Sequence, residues 1–372
     1  MLPLLPMFAV GSLQKQEIPL SATSAVCNDG SPYAYFLGLG TETDKWVFFQ
    51  QGGSYCWDED SCNSRGSNYM SSNGLPSTET ISVGILSDDA SNNPYYAAWN
   101  KVLIPYCTSD AFSGTVEKAS WKSSLSFLGS RVIPSLIADL KASHGLIDDV
   151  STTVIYAGAS AGGVGMYPNL DILSGTLLPS SNVVGVIDSG WFMDSVPYVA
   201  QSCKDALHCS VEANIKLGMT AWSPSVDADC SKDKPADQQW QCMMGKYVEP
   251  YISTPIFVFE WQFDLAQLYH DGIEDNPSGA AATLTYAQTS SANLTKTFAA
   301  AQRHHMFFSP SCYQHVVLNT KHPTWAKVTA GGVALADALN DFVIGKTTSS
   351  TLLDECKTPD CNPTCPPDQH IG

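Results

Sequence analysis

Along this chain, short and nearly uninterrupted apolar runs alternate with stretches whose apolar residues recur at helical spacing. "KWVFFQQGG" predicts a buried strand over 45–50 that runs into glycines. "RVIPSLIADLKASHG" has the helical repeat and a stop at Gly145. "TTVIYAG", "NVVGVID" (182–188), "TPIFVFEW" (254–261) and "HHMFFS" (304–309) predict further buried strands, with a helix over 161–173 after the first of them. "GGVALADALNDFVIG" (331–345) predicts a closing helix with Leu335, Ala338, Leu339 and Phe342 on one face. Strands apolar on both faces and interleaved with helices imply a mostly parallel sheet covered on both sides, an α/β fold. Residues 195–250 and 265–303 are long insertions that could cap a site. Residues 346–372, rich in Ser, Thr and Pro with Cys356, Cys361 and Cys365, predict an irregular, disulfide-pinned tail.

Composition narrows the class. Of 372 residues, 44% are apolar and 15% charged, which indicates a globular chain. No run approaches the roughly 18 apolar residues of a membrane span. The net charge of −17 argues against nucleic acid as a partner and makes unmasked polyanionic glycans awkward ones. Twelve cysteines, without paired C-x2-C spacing, indicate a disulfide framework and an oxidising compartment. Cys56 and Cys62, and Cys203 and Cys209, bracket short loops; Cys230 and Cys242 bracket a longer one. The sequon Asn293-Leu294-Thr295 agrees with secretion. The opening "MLPLLPMFAVGS" lacks a basic region and reads as a poor or trimmed signal, so residues 1–26 are set apart from a domain over 27–345.

The chemistry centres on "AGASAGG". Ser160 stands between Gly158 and Gly162 where a strand gives way to a helix, the pattern of a nucleophile elbow. The amide of Ala161 would then donate to an oxyanion. In the order Ser, Asp, His, the acid is Asp264, following the strand that ends near Trp261, with Asp188 as the rival. Asp171 lies too far along the helix. The base is His315, placed after its strand, although order alone leaves His322 open. His304 and His305 precede that strand, at the wrong end of the sheet. His144, His208, His270 and His370 fall in loops or insertions, where an exposed structural histidine is the default. Trp191, Phe192, Trp261, Phe263 and Leu268 lie beside these loops and are candidates for an acyl pocket, or ordinary core.

Several ordered blocks resemble the pectin acetylesterase family, and its Notum-like carboxylesterase branch in the latter half. They are "VCNDGSPYAYFLG", "GGSYCWDEDSC", "YCTSDAFSGTVE", "AGASAGGVGMYPNLD", "IDSGWFMD" and "SPSCYQHVV", within a span from about Cys27 to Phe342. The resemblance implies an α/β-hydrolase fold and a triad of Ser160, Asp264 and His315. It also implies that the loop after the first apolar strand supplies oxyanion amides. The family pattern there is Gly-Gly-Gly-Trp-Cys or Gly-Gly-Trp-Cys; this chain has Gly52-Gly53-Ser54-Tyr55-Cys56, which leaves the second donor among Gly53, Ser54 and Tyr55. The expected activity is ester hydrolysis through an acyl-enzyme, with no cofactor or metal. The substrate would be O-acetyl or another O-acyl group on a glycan or protein, a palmitoleoylated protein, or a small ester, as for a broad lipase-like carboxylesterase. A catalytically silent extracellular binding protein is the alternative from another class. A metal-dependent deacetylase built on His304 and His305 has no motif behind it. Oligomeric state stays open.

Overall fold

The computed structural model describes residues 11–21, 24–301, 304–318, 324–347 and 349–367. Its centre is a ten-stranded sheet among the described residues. In chain order the strands are β1 (Ser12–Glu17), β2 (Ala34–Gly38), β3 (Glu42–Gln50), β4 (Thr78–Thr80), β5 (Trp99–Ile104), β6 (Thr153–Ala159), β7 (Asn182–Asp188), β8 (Ile256–Phe259) and β9 (Met306–Ser309). A small hairpin, β10 (Thr329–Ala330) and β11 (Val333–Ala334), stands apart, and β12 (Thr351–Leu353) returns to the sheet. The order is β12-β9-β8-β7-β6-β3-β5-β2-β1-β4. Strands from β12 to β5 run parallel, and β2, β1 and β4 extend the sheet antiparallel.

Side chains alternate faces along each strand, and the core divides accordingly. Trp46, Phe48, Val154, Tyr156, Ile187 and Val258 fill one face, while Val47, Phe49, Ile155, Ala157, Val186 and Phe257 fill the other. The first face is covered by α2 (Val132–Ser143) through Val132, Leu136 and Leu140, and by α4 (Met166–Ile172) through Met166 and Leu170. The second is covered by α10 (Leu335–Val343). Its Leu335, Ala338 and Leu339 are buried as the periodicity predicts, with Val343 sunk deeper than Phe342. The remaining helices are α1 (Glu59–Asn63), α3 (Ala161–Val164), α5 (Val211–Trp222), α6 (Ala228–Asp233), α7 (Gly245–Val248), α8 (Leu265–His270) and α9 (Ala281–Ala300).

Three expectations change. The sheet starts upstream of residue 27, because Ser12–Glu17 pairs with both β2 and β4 as an outer strand. The helix expected over 161–173 is split at Gly165 into α3 and α4. The tail, expected to be irregular and disulfide-pinned, is pinned by Cys312–Cys365 and Cys356–Cys361 but is not wholly irregular, because Thr351–Leu353 pairs in parallel with β9. All twelve cysteines pair, the others as Cys27–Cys107, Cys56–Cys62, Cys203–Cys209 and Cys230–Cys242. The opening residues 1–10, His322 and His370 lie outside the described residues.

Candidate active site

Parallel pairing brings the carboxyl ends of the central strands into one row. Gln50 pairs with Gly158, Ala159 with Asp188, and Asp188 with Phe259. The loops that follow therefore converge on one rim, where they line a cavity of about 520 Å³. Gly52–Tyr55 enter it after β3, Ser160 and Ala161 after β6, and His315 after β9.

Ser160 has φ 53° and ψ −122°, a conformation that crowds its Cβ and belongs to a sharp elbow. The turn closes only because its flanking residues lack side chains. A Cβ on Gly158 would meet the Gly162 carbonyl oxygen at 2.4 Å, and one on Gly162 would meet that of Gln50 at 2.4 Å. The Ser160 amide donates to the Asp188 carbonyl (2.8 Å), tying the elbow to β7. Ala161 opens α3, so its amide is an unclaimed donor at a helix start.

Asp264 caps α8. Its Oδ1 accepts the Gln267 amide (2.8 Å), and its Oδ2 lies 2.7 Å from Nδ1 of His315. An aspartate at this cap position satisfies a helix donor with one oxygen and leaves the other for the imidazole. Both side chains are buried. Burial alone would lower the pKa of His315, but the Asp264 charge and hydrogen bond, with a further contribution from Asp188, raise it above 6.5. With Nδ1 committed to Asp264, Nε2 is the nitrogen left to exchange a proton in the cavity that Ser160 lines.

Asp188, the rival acid, is fully buried and does another job. Its carboxylate accepts the amides of Val317 (2.9 Å) and Leu318 (2.8 Å), while Ser189 Oγ accepts that of Val316 (3.0 Å). These bonds hold the loop just beyond His315 in a bend where Val316, a β-branched residue, has φ 54°. Asp171 is spent on Ser253 and Thr254. His305 is buried beside Glu249 (3.4 Å) and accepts the amide of Ile256, at the opposite end of the strands. His144 pairs with Asp139 at 3.6 Å, away from the cavity.

The acyl-pocket residues divide. Phe192 lines the cavity, its ring 6.1 Å from that of His315. Trp191 instead packs edge-on against Phe307, Trp261 packs against Phe259, and Phe263 and Leu268 form a small satellite core with Tyr313. These four border a separate void of about 20 Å³ behind Asp264. They pack inward because strand alternation and the helix α8 turn their faces to the interior. The rest of the cavity wall mixes Phe49, Tyr55, Tyr69, Leu207 and Val316 with polar residues that include Ser61, Ser64, Arg65, Asp205, His208 and His270.

His270 corrects the expectation of an exposed histidine. It is buried, its Nδ1 donates to the Cys209 carbonyl (2.9 Å), and burial pushes its pKa down to about 4. Arg65, Tyr69 and Asp205–His208 were missed as well. They arrive from loops whose sequence carries no periodicity, and the only signal for them was the pair of short cysteine-bracketed segments.

A family model described as pectinacetylesterase matches residues 13–366. The chain belongs to the pectin acetylesterase family. It is an α/β-hydrolase-like hydrolase of ester bonds. Among other members of the family, mouse palmitoleoyl-protein carboxylesterase NOTUM is 34% identical over 373 residues, covering 94% of this chain and 72% of the mouse protein. Human palmitoleoyl-protein carboxylesterase NOTUM is 33% identical, covering 94% and 73%. A crystal structure of the Wnt deacylase Notum from Drosophila superposes with a TM-score of 0.85 at 31% identity, covering 95% of this chain and 99% of the fly chain.

Proposed function

We propose that this pectin acetylesterase family member is a secreted serine carboxylesterase that removes short O-acyl groups, O-acetyl first among them, from a glycan or protein. The observation that carries the reading is the 2.7 Å contact between His315 and Asp264 at the rim that also carries the Ser160 elbow. His315 Nε2 takes the proton of Ser160 Oγ as that oxygen attacks the acyl carbon, and Asp264 fixes the tautomer and stabilises the imidazolium. The amide of Ala161 and one from Gly53–Tyr55 receive the oxyanion. The alcohol leaves with the proton, and water, activated by the same imidazole, releases the acid. No step needs a cofactor.

The short-acyl preference rests on four of the five candidate apolar residues packing into the core, which leaves only Phe192 at the cavity; the wall otherwise mixes Phe49, Tyr55, Tyr69, Leu207 and Val316 with serines, an arginine and histidines. Six disulfides support an oxidising, extracellular setting. A second reading, deacylation of a palmitoleoylated protein, is favoured by the names of the NOTUM relatives. A nitrophenyl ester series from C2 to C16 decides between them. The short-acyl reading expects kcat/KM to peak at C2–C4 and fall steeply beyond, and a maximum at C12 or longer overturns it in favour of the second. In either case Ser160→Ala should lower kcat by a factor on the order of 10⁴ or more and abolish fluorophosphonate labelling.

A further inference from the structure

Arg65 is a cation without a counter-ion. Among the described residues no carboxylate forms an ion pair with it, and its buried Nε has no acceptor. Its guanidinium lies between two rings, 4.9 Å from the centroid of Tyr69 and 5.6 Å from that of Tyr106. Its hydrogen bond runs from Nη2 to the carbonyl oxygen of Gly53, at 2.7 Å. Holding a half-buried guanidinium against two rings and one carbonyl gives up part of its hydration for that carbonyl.

The carbonyl belongs to the peptide that joins Gly53 to Ser54. That peptide is trans, so its C=O and N–H point in opposite directions. With the oxygen drawn toward Arg65, the Ser54 N–H is turned the other way, and it has no acceptor among the described residues. Gly52–Tyr55 and Ser160 border the same cavity. The backbone pays for this orientation: Ser54 sits at φ 60°, and Gly53 at φ 136°, where a Cβ would meet the Tyr69 ring at 2.2 Å. Left to itself, such a peptide would flip to relieve the strain.

We propose that Arg65 is the positioning residue of the oxyanion hole, holding the Gly53–Ser54 peptide so that the Ser54 amide faces the acyl oxygen. This rests on the serine-esterase reading above. A cation on the carbonyl side also draws electron density through the amide and makes its N–H a stronger donor to a forming negative charge. The Cys56–Cys62 bridge and α1, capped by Asp58, carry the chain from the oxyanion loop directly to Arg65, so loop and clamp form one short unit. The role explains how a serine can stand where the family pattern has glycine.

The test uses the full-length protein and p-nitrophenyl acetate. Arg65→Met should lower kcat roughly 10- to 100-fold, with KM within about threefold of the parent. Arg65→Lys, which keeps the charge over the rings but loses the fork, should fall between the two and serves if the methionine variant does not fold. Phosphonylation of Ser160 by a fluorophosphonate should slow in step with kcat. A folded Arg65→Met or Arg65→Lys variant with parental kcat overturns the inference. So does a loss confined to KM, which would make Arg65 a direct substrate contact. If Ser160→Ala abolishes turnover while the Arg65 variants keep it, the inference fails alone. If Ser160→Ala keeps turnover, the serine-esterase reading itself fails.

Discussion

At the scale of single residues, the site is a set of opposing pulls on one imidazole. Burial disfavours the charged form of His315, whereas Asp264 in contact and Asp188 nearby favour it, and the charges prevail. A base must be neutral to act, so the acid limb of the kcat/KM profile should lie above pH 6.5. Asp264→Asn removes the larger of the two charges and leaves burial in place. It should move that limb to lower pH and reduce kcat by about 10⁴-fold, as a pH–rate titration of the two proteins would record. An unmoved limb in the variant would mean that another group titrates. For the proposed triad of Ser160, Asp264 and His315, strand order in the sequence narrowed the choice but left Asp188 and His322 open, and the family resemblance singled out the set. The acyl pocket was not legible, because a tryptophan beside a strand end looks the same whether it faces the cavity, as Phe192 does, or the core, as Trp191 and Trp261 do. Arg65 was hidden for a different reason: its value lies in one carbonyl twelve residues earlier, which no local pattern encodes.

At the scale of elements, the central strands announced themselves as continuous apolar runs, and the outer ones did not. β1, "SLQKQE", is polar and half-exposed one strand in from the edge, and is recognised only through its partners. β5 was disguised by Lys101, whose buried ammonium donates to the carbonyls of Tyr96, Ala97 and Trp99 instead of reaching water. The tail was misjudged because its strand is three residues long, yet it braces the histidine loop. Asp354 accepts the Ser311 amide (2.8 Å), Asp360 accepts that of Tyr313 (3.0 Å), and Gln314 donates to the Pro366 carbonyl (2.9 Å). Cys312–Cys365 locks the two segments across 53 residues, a closure worth about 4 kcal/mol in the chain-entropy view. The paired change Cys312→Ser with Cys365→Ser should therefore lower the melting temperature and also cut kcat, since the released loop carries His315. Comparing thermal unfolding with turnover well below the transition separates the two effects. Full activity in the unbridged protein would show that the hydrogen bonds suffice.

At the scale of the whole molecule, burial raises the proton affinity of several acids. Asp110 and Asp188 are pushed up to about 6 and Asp271 to about 7, and Glu260 is raised as well, in each case chiefly by desolvation. Each binds its proton more tightly folded than unfolded, so the stability it lends is complete below the unfolded carboxylate pKa and is lost as pH rises through 6 to 7. His270 and His305, lowered by burial to about 4 and about 3, act in the opposite sense, losing stability as pH falls below 6.5. Between pH 8 and 6.5 the raised acids respond, His315 with its raised pKa acts in the same direction, and so does partial neutralisation of the net charge of −17. Melting should therefore occur at a higher temperature at pH 6 than at pH 8 in differential scanning calorimetry, and a flat or reversed trend would contradict the burial of these carboxyls.

The Cys312–Cys365 bridge also imposes an order on biogenesis. A ribosome finishes the proposed nucleophile, acid and base well before it adds the thiol of Cys365 that fastens the His315 loop. A nascent chain thus holds all three proposed triad residues and lacks the fastening. Where the unbridged variant loses turnover as expected, competence to cleave esters arrives only once Cys312 and Cys365 are oxidised, a step that a reducing cytosol would withhold.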